Sequence, residues 1–119
     1  MKVNVTAQYL NEQSKPHENQ HVFAYTICIE NNDEYAAKLV SRYWHITDAN
    51  SQVQEVKGVG VVGEQPRLEP GESYTYTSGA VLETSTGTME GHYVMLRVDG
   101  SRFETPIPTF ALVQPSALH

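Results

Sequence analysis

Gly58, Gly60 and Gly63 fall at the spacing G-x-G-x-x-G within GVGVVGEQP (58–66). In a dinucleotide site, that spacing lets backbone N–H groups approach a pyrophosphate. The chemistry needs a strand before it and a helix after it, and a carboxylate about 20 residues on takes the ribose hydroxyl. Here QVQEVK (52–57) reads as a strand. No helix can follow, because EQPRLEPGE contains Pro66 and Pro70 and has no helical apolar period. Glu83 stands 20 residues beyond Gly63, but in a Gly/Ser/Thr-rich stretch that fits no βαβ unit. The glycines are therefore expected to bend the chain through positive φ, a bulge or a crossing between sheets. On that reading Val59, Val61 and Val62 tuck into the core. A second option needs no helix: successive N–H groups form an anion nest, favoured by Arg67 and opposed by Glu64.

Other residues offer less. Five histidines (His17, His21, His45, His92 and His119) raise metal binding. His17 and His21 would need a loop bend to meet, with Glu18 as third ligand, since positions four apart in extended chain lie about 13 Å apart. Solvated loop histidines are the plainer reading, and His45 is expected to point away from the face that buries Trp44. Cys28 lies mid-strand with no base nearby and reads as a buried, inert thiol. Glu83 and Glu90 form a carboxylate pair only if the 79–91 segment folds them together. No G-x-S-x-G elbow is present, so no catalytic residue is assigned, and no cofactor or metal site.

The elements that must position these residues are strands. Apolar residues alternate in VNVTAQYL (3–10), HVFAYTICIE (21–30), KLVSRYWHIT (38–47), SYTYTS (73–78) and HYVMLRV (92–98). The second run sets Phe23, Tyr25, Ile27 and Ile29 on one face. The third sets Val40, Trp44 and Ile46 against Leu39, Tyr43 and His45. NDEYAAK (32–38) holds at most one helical turn. Asp99-Gly100 predicts a type I′ hairpin turn. Seven or eight such strands make an all-β fold, an antiparallel β-sandwich of immunoglobulin or fibronectin type III kind. No cysteine pair pins the sheets, so packing around Trp44 must. The irregular stretches 58–71 and 79–91 are expected as loops at the sheet ends, where binding concentrates.

The 119 residues suffice for one domain, with residues 115–119 a frayed tail. A net charge of −6 with scattered Lys and Arg opposes nucleic-acid binding. A single cysteine and the absence of an apolar leader or a ~20-residue apolar span point to a cytoplasmic protein without a membrane segment. Unpaired edge strands and seven tyrosines suit recognition of a protein partner, and the same edges would let two copies pair as a homodimer.

Several runs together carry a family resemblance: SRYWHITD (41–48), Val56 to Glu72 with its glycine–EQP segment, YTSG (76–79), GTMEGHY (87–93) and DGSRFE (99–104). With YTICIEN (25–31) and the N-terminal strand, the chain resembles the bacterial ApaG (CorD) family over nearly its whole length. The resemblance implies a fibronectin-III-like sandwich and an association with cobalt and magnesium tolerance and with a neighbouring diadenosine tetraphosphate hydrolase gene. It also implies protein–protein binding, because ApaG-like domains accompany an F-box protein and a polymerase-interacting protein in eukaryotes. The family's glycine motif has been likened to a pyrophosphate-binding sequence, and the family carries no agreed catalytic residues.

The sequence thus predicts a non-enzymatic module that binds a protein through a surface joining the 58–66 and 79–91 loops. Gly58, Gly60 and Gly63 would shape the backbone, and Glu64, Arg67 and Glu90 would supply polar contacts. The rivals are a sensor of nucleotide phosphates using the same loop and a divalent-metal binder centred on His17, His21 or His92.

Overall fold

The computed structural model describes residues 1–115, and the expected tail lies almost wholly outside them, as does His119. Eight strands account for the alternation: β1 (Lys2–Tyr9), β2 (His21–Glu30), β3 (Ala37–Asp48), β4 (Val53–Val59), β5 (Arg67–Leu68), β6 (Ser73–Leu82), β7 (Thr86–Arg97) and β8 (Arg102–Val113). The helical content among the described residues is a 3₁₀ turn at Pro16–Glu18. Among the described residues no helix is long and apolar enough to cross a membrane.

All pairings are antiparallel and build two sheets. The smaller has the order β1-β2-β6. The larger has the order β4-β3-β7-β8, with β5 pairing the start of β3. Strand β1 lies against β8 and closes one side of the sandwich. On the other side β4 and β6 face each other across a cleft.

Phe23, Tyr25, Ile27 and Ile29 of β2 face inward, as their period-two spacing requires. Opposite them lie Leu39, Trp44, Met89, Tyr93, Met95 and Leu112. Trp44 meets Tyr25 edge-on across the sheets, with centroids 5.3 Å apart, and also contacts Phe110. Burial of each such ring contributes about 2–3 kcal/mol.

Strand β3 departs from simple alternation. Leu39 pairs Met95 and Ser41 pairs Val94, so Val40 is an extra, bulged residue. The bulge places Leu39, not Val40, in the core with Trp44 and Ile46. Alternation read across the bulge had reversed those two.

Two further expectations are corrected. The 79–91 stretch is not a loop: residues 79–82 complete β6, 86–91 begin β7, and Glu83–Ser85 connect them. Asp99-Gly100 does not form a type I′ turn. Gly100 (φ 88°) alone adopts positive φ there, and its N–H donates to the Arg97 carbonyl at 3.0 Å. That is a type I turn ending in a left-handed residue, with Arg97 N–H returning to the Ser101 carbonyl.

Between β2 and β3 no helical turn forms. The buried Asn31 organises the segment instead. Its side-chain amide donates to the carbonyls of Tyr35 and Leu68 at 2.9 Å each, and its Oδ1 accepts from the Asp33 N–H. One side chain thereby ties the β2–β3 segment to β5 through backbone groups.

Candidate functional site: the glycine hairpin

Beyond β4 the chain folds back in a two-residue hairpin. Val61 and Glu64 exchange both backbone hydrogen bonds, at 2.8 and 2.9 Å. Val62 (φ 48°) and Gly63 (φ 80°) form the corner. Two consecutive positive φ values are the mark of a type I′ turn, the kind expected at Asp99-Gly100 and found here. Gly60 also has positive φ (63°), and a Cβ there would overlap the Glu64 carbonyl. No helix follows Gly63, in keeping with the two prolines.

The hairpin is fastened to the bulge in β3. The bulged Val40 carbonyl accepts from the Gly60 N–H at 2.8 Å and from Gln65 Nε2 at 3.0 Å. Arg42, on the inner face of β3, sends Nη1 to the carbonyls of Val59 (3.2 Å) and Gly60 (2.8 Å). Gly58 stands directly opposite Arg42 in the register, and a Cβ there would lie 2.6 Å from Nη1. Gly58 thus leaves room for the guanidinium rather than supplying positive φ.

The three valines do not behave alike. Val61 is fully buried, whereas Val59 is 73% and Val62 59% exposed. The expectation that all three tuck inward is corrected, because the I′ corner turns Val62 out and Val59 occupies the outer face of β4. A β-branched residue at positive φ is a backbone outlier, costing about 1–2 kcal/mol, and here it holds an apolar side chain in solvent.

The predicted site residues divide. Gly58, Gly60, Gly63 and Glu64 belong to the hairpin. Arg67 lies beyond it on β5, with Nε paired to Glu69 at 3.0 Å. Glu90 is not brought to the hairpin. It sits opposite His45 on the outer face of the larger sheet, where it accepts from Thr109 Oγ1. His45 is four residues along β3 from Ser41, the partner of Val59, so about 13 Å separates them. The β6–β7 connection lies at the Asp48 end of β3, where the Ala49 N–H meets Thr84. The hairpin and the β6–β7 connection thus lie at different levels along β3, one at Val40 and the other at Asp48.

Sequence reasoning missed Arg42, Gln65 and the Val40 carbonyl. Their signal is the register: a glycine opposite an arginine on the neighbouring strand, which is legible only once the strands are paired.

An anion nest would need free N–H groups at the glycines. That of Gly60 is committed to the Val40 carbonyl of β3, and those of Val61 and Glu64 bond each other's carbonyls.

Elsewhere, His17 and Glu18 are exposed, whereas His21 is buried with Nδ1 3.3 Å from the Tyr9 hydroxyl. Among the described residues no three His, Cys, Asp or Glu side chains converge as metal ligands. His92 stacks on Tyr43 with centroids 5.2 Å apart and approaches Glu104 at 3.7 Å. His45 faces away from the core, opposite to its neighbour Trp44. Cys28 is half-buried on the outer face of β2 rather than buried, because its neighbours Ile27 and Ile29 take the inward positions.

The architecture defines a two-sheet antiparallel β-sandwich that displays a rigid, glycine-shaped hairpin. The chain belongs to the ApaG domain family, whose family model matches residues 11–97. It is 57% identical over 117 residues to Protein ApaG of Ralstonia nicotianae, covering 98% of this chain and 94% of that one. It is 56% identical over 119 residues to Protein ApaG of an Azoarcus species, covering 100% and 94%. A crystal structure of a Bordetella pertussis protein described as ApaA superposes with a TM-score of 0.93 at 50% identity, covering 96% of this chain and 93% of that one.

Proposed function

We propose that this ApaG-domain chain is a non-catalytic binding module that presents the Val59–Gln65 hairpin to another protein. The observation that carries the reading is Val62: an exposed β-branched side chain held at positive φ. Nothing in the fold rewards that conformation locally, and Asn or Gly would relieve it. A partner that buries Val62 and Val59 would compensate for the strain. Two valine side chains contribute on the order of 3–5 kcal/mol when removed from water, enough to anchor a small interface whose polar rim includes Glu64. The fastening to Val40 and Arg42 fixes the hairpin before binding and lowers the ordering cost. On this reading the metal tolerance associated with the family runs through the partner.

The test is affinity capture from lysate with the tagged chain, comparing wild type with Val62→Asp and Val59→Asp and using matched thermal melts. Loss of the same captured protein in both variants, with melting not lowered, supports the reading. Retention of capture by the correctly folded variants would overturn it.

A further inference from the structure

The cleft between β4 and β6 carries a second inference, independent of the hairpin reading. It encloses about 350 Å³ and is lined by Arg42, Trp44 and Ile46 of β3, Val56 of β4, Tyr25 of β2, and the consecutive residues 78–81 of β6. Arg42, Trp44 and Ile46 are alternate residues, so they form one row about 13 Å long on the inner face. That is the length of about four residues of extended chain.

Three properties of the cleft point to one occupant. First, β6 ends its sheet, so its outer edge has no strand partner, and Gly79 puts no side chain beside the backbone there. Among the described residues a single long hydrogen bond crosses the cleft, from Gln54 Nε2 to the Val81 carbonyl at 3.5 Å. Second, the indole N–H of Trp44 is buried and finds no hydrogen-bond acceptor, although Trp44 is only 2% exposed. A buried donor left unpaired costs about 1–3 kcal/mol. Third, the Arg42 guanidinium meets two carbonyls but pairs with no carboxylate among the described residues. The cleft therefore has apolar walls, an open strand edge, and a guanidinium that meets carbonyls but no carboxylate. An extended segment bearing a carboxylate complements each of these.

We propose that an acidic peptide strand binds in this cleft, adding to the β6 edge along Ser78–Val81. The strand covers the cleft-facing side of Trp44, and a Glu or Asp side chain pairs with Arg42. This is strand addition with a charge-read position at one end.

The chain has a single tryptophan, so its indole N–H gives one identifiable NMR cross-peak. The probe is acetyl-Glu-Val-Thr-Val-amide, titrated into the ¹⁵N-labelled full chain, with the Gln-Val-Thr-Val counterpart as control. The expected result is a shift of the indole peak together with shifts of the residue 78–81 amides, and about tenfold weaker binding of the Gln peptide. Val81→Asp, an exposed change at the proposed edge, should weaken the Glu peptide and leave the melting temperature unchanged.

Four outcomes overturn the proposal: an unmoved indole peak at saturating peptide, equal binding of the two peptides, identical shifts with sodium acetate alone, or the same shifts arising with protein concentration and no peptide. The last would assign the cleft to a second copy of the chain.

Discussion

The hydroxyls of Tyr76 and Tyr93 meet at 2.5 Å in the interior, one from each sheet. The pair joins β6 to β7 by a hydrogen bond where no disulfide does. Burial raises both phenol pKa values, that of Tyr76 to about 12 and that of Tyr93 further. Desolvation of the phenolate is the main cause in each, and the neighbouring hydroxyl modifies it.

A pH dependence follows with a definite sign. The folded chain holds these protons above pH 10, where an unfolded tyrosine has begun to release them. The contribution to stability is therefore complete below about pH 10 and falls as pH rises towards 12. Each tyrosine contributes up to about 1.4 kcal/mol per pH unit across that window. Denaturant midpoints measured from pH 9 to about pH 12 should show the fall, and Tyr76→Phe/Tyr93→Phe should flatten it.

Single removals from the same pair should cost more than the double. Tyr93→Phe leaves the Tyr76 hydroxyl unpaired in the core, for a loss of about 1–3 kcal/mol. The double Phe variant should lose less than the sum of the singles. Additive losses in urea melts would show that the bond does not couple the sheets.

Val62→Asn is expected to stabilise the chain by about 1 kcal/mol, because Asn-Gly suits a type I′ corner and Val-Gly does not. It should at the same time reduce partner capture. A gain in melting temperature with capture intact would separate the strain from binding.

Gly58→Ala should act through Arg42. The added methyl displaces the guanidinium from the Val59 and Gly60 carbonyls, for an expected loss of about 1–2 kcal/mol. Hydrogen exchange at the Val61 and Glu64 amides should quicken more than at β2.

Asn31→Ala removes all three side-chain bonds of a fully buried residue. Its cost is expected at about 3 kcal/mol, since the carbonyls of Tyr35 and Leu68 lose their donor. Urea unfolding measures it directly.

The sequence by itself determined that the chain is a β-sandwich, because period-two alternation in β2, β6 and β7 needs no knowledge of neighbours. It also determined that Gly63 opens no helix, since Pro66 and Pro70 forbid one locally. It set Trp44 at the centre of the packing and His45 away from it. The tertiary structure decided what depends on pairing. A bulge at Val40 moved Leu39 inward, and it cannot be read from one strand because it is a mismatch between two. The same bulge supplied the carbonyl that fastens the hairpin. Residues 79–91 had looked like a loop because their Gly, Ser and Thr residues are turn formers. They are strand because residues 79–82 pair with β2 and 87–91 with β3, where Gly91 leaves room for the close Tyr43 backbone. Arg42 opposite Gly58, Val62 turned outward and Glu90 placed opposite His45 are likewise products of register. Register is set by long-range pairing that local composition does not encode.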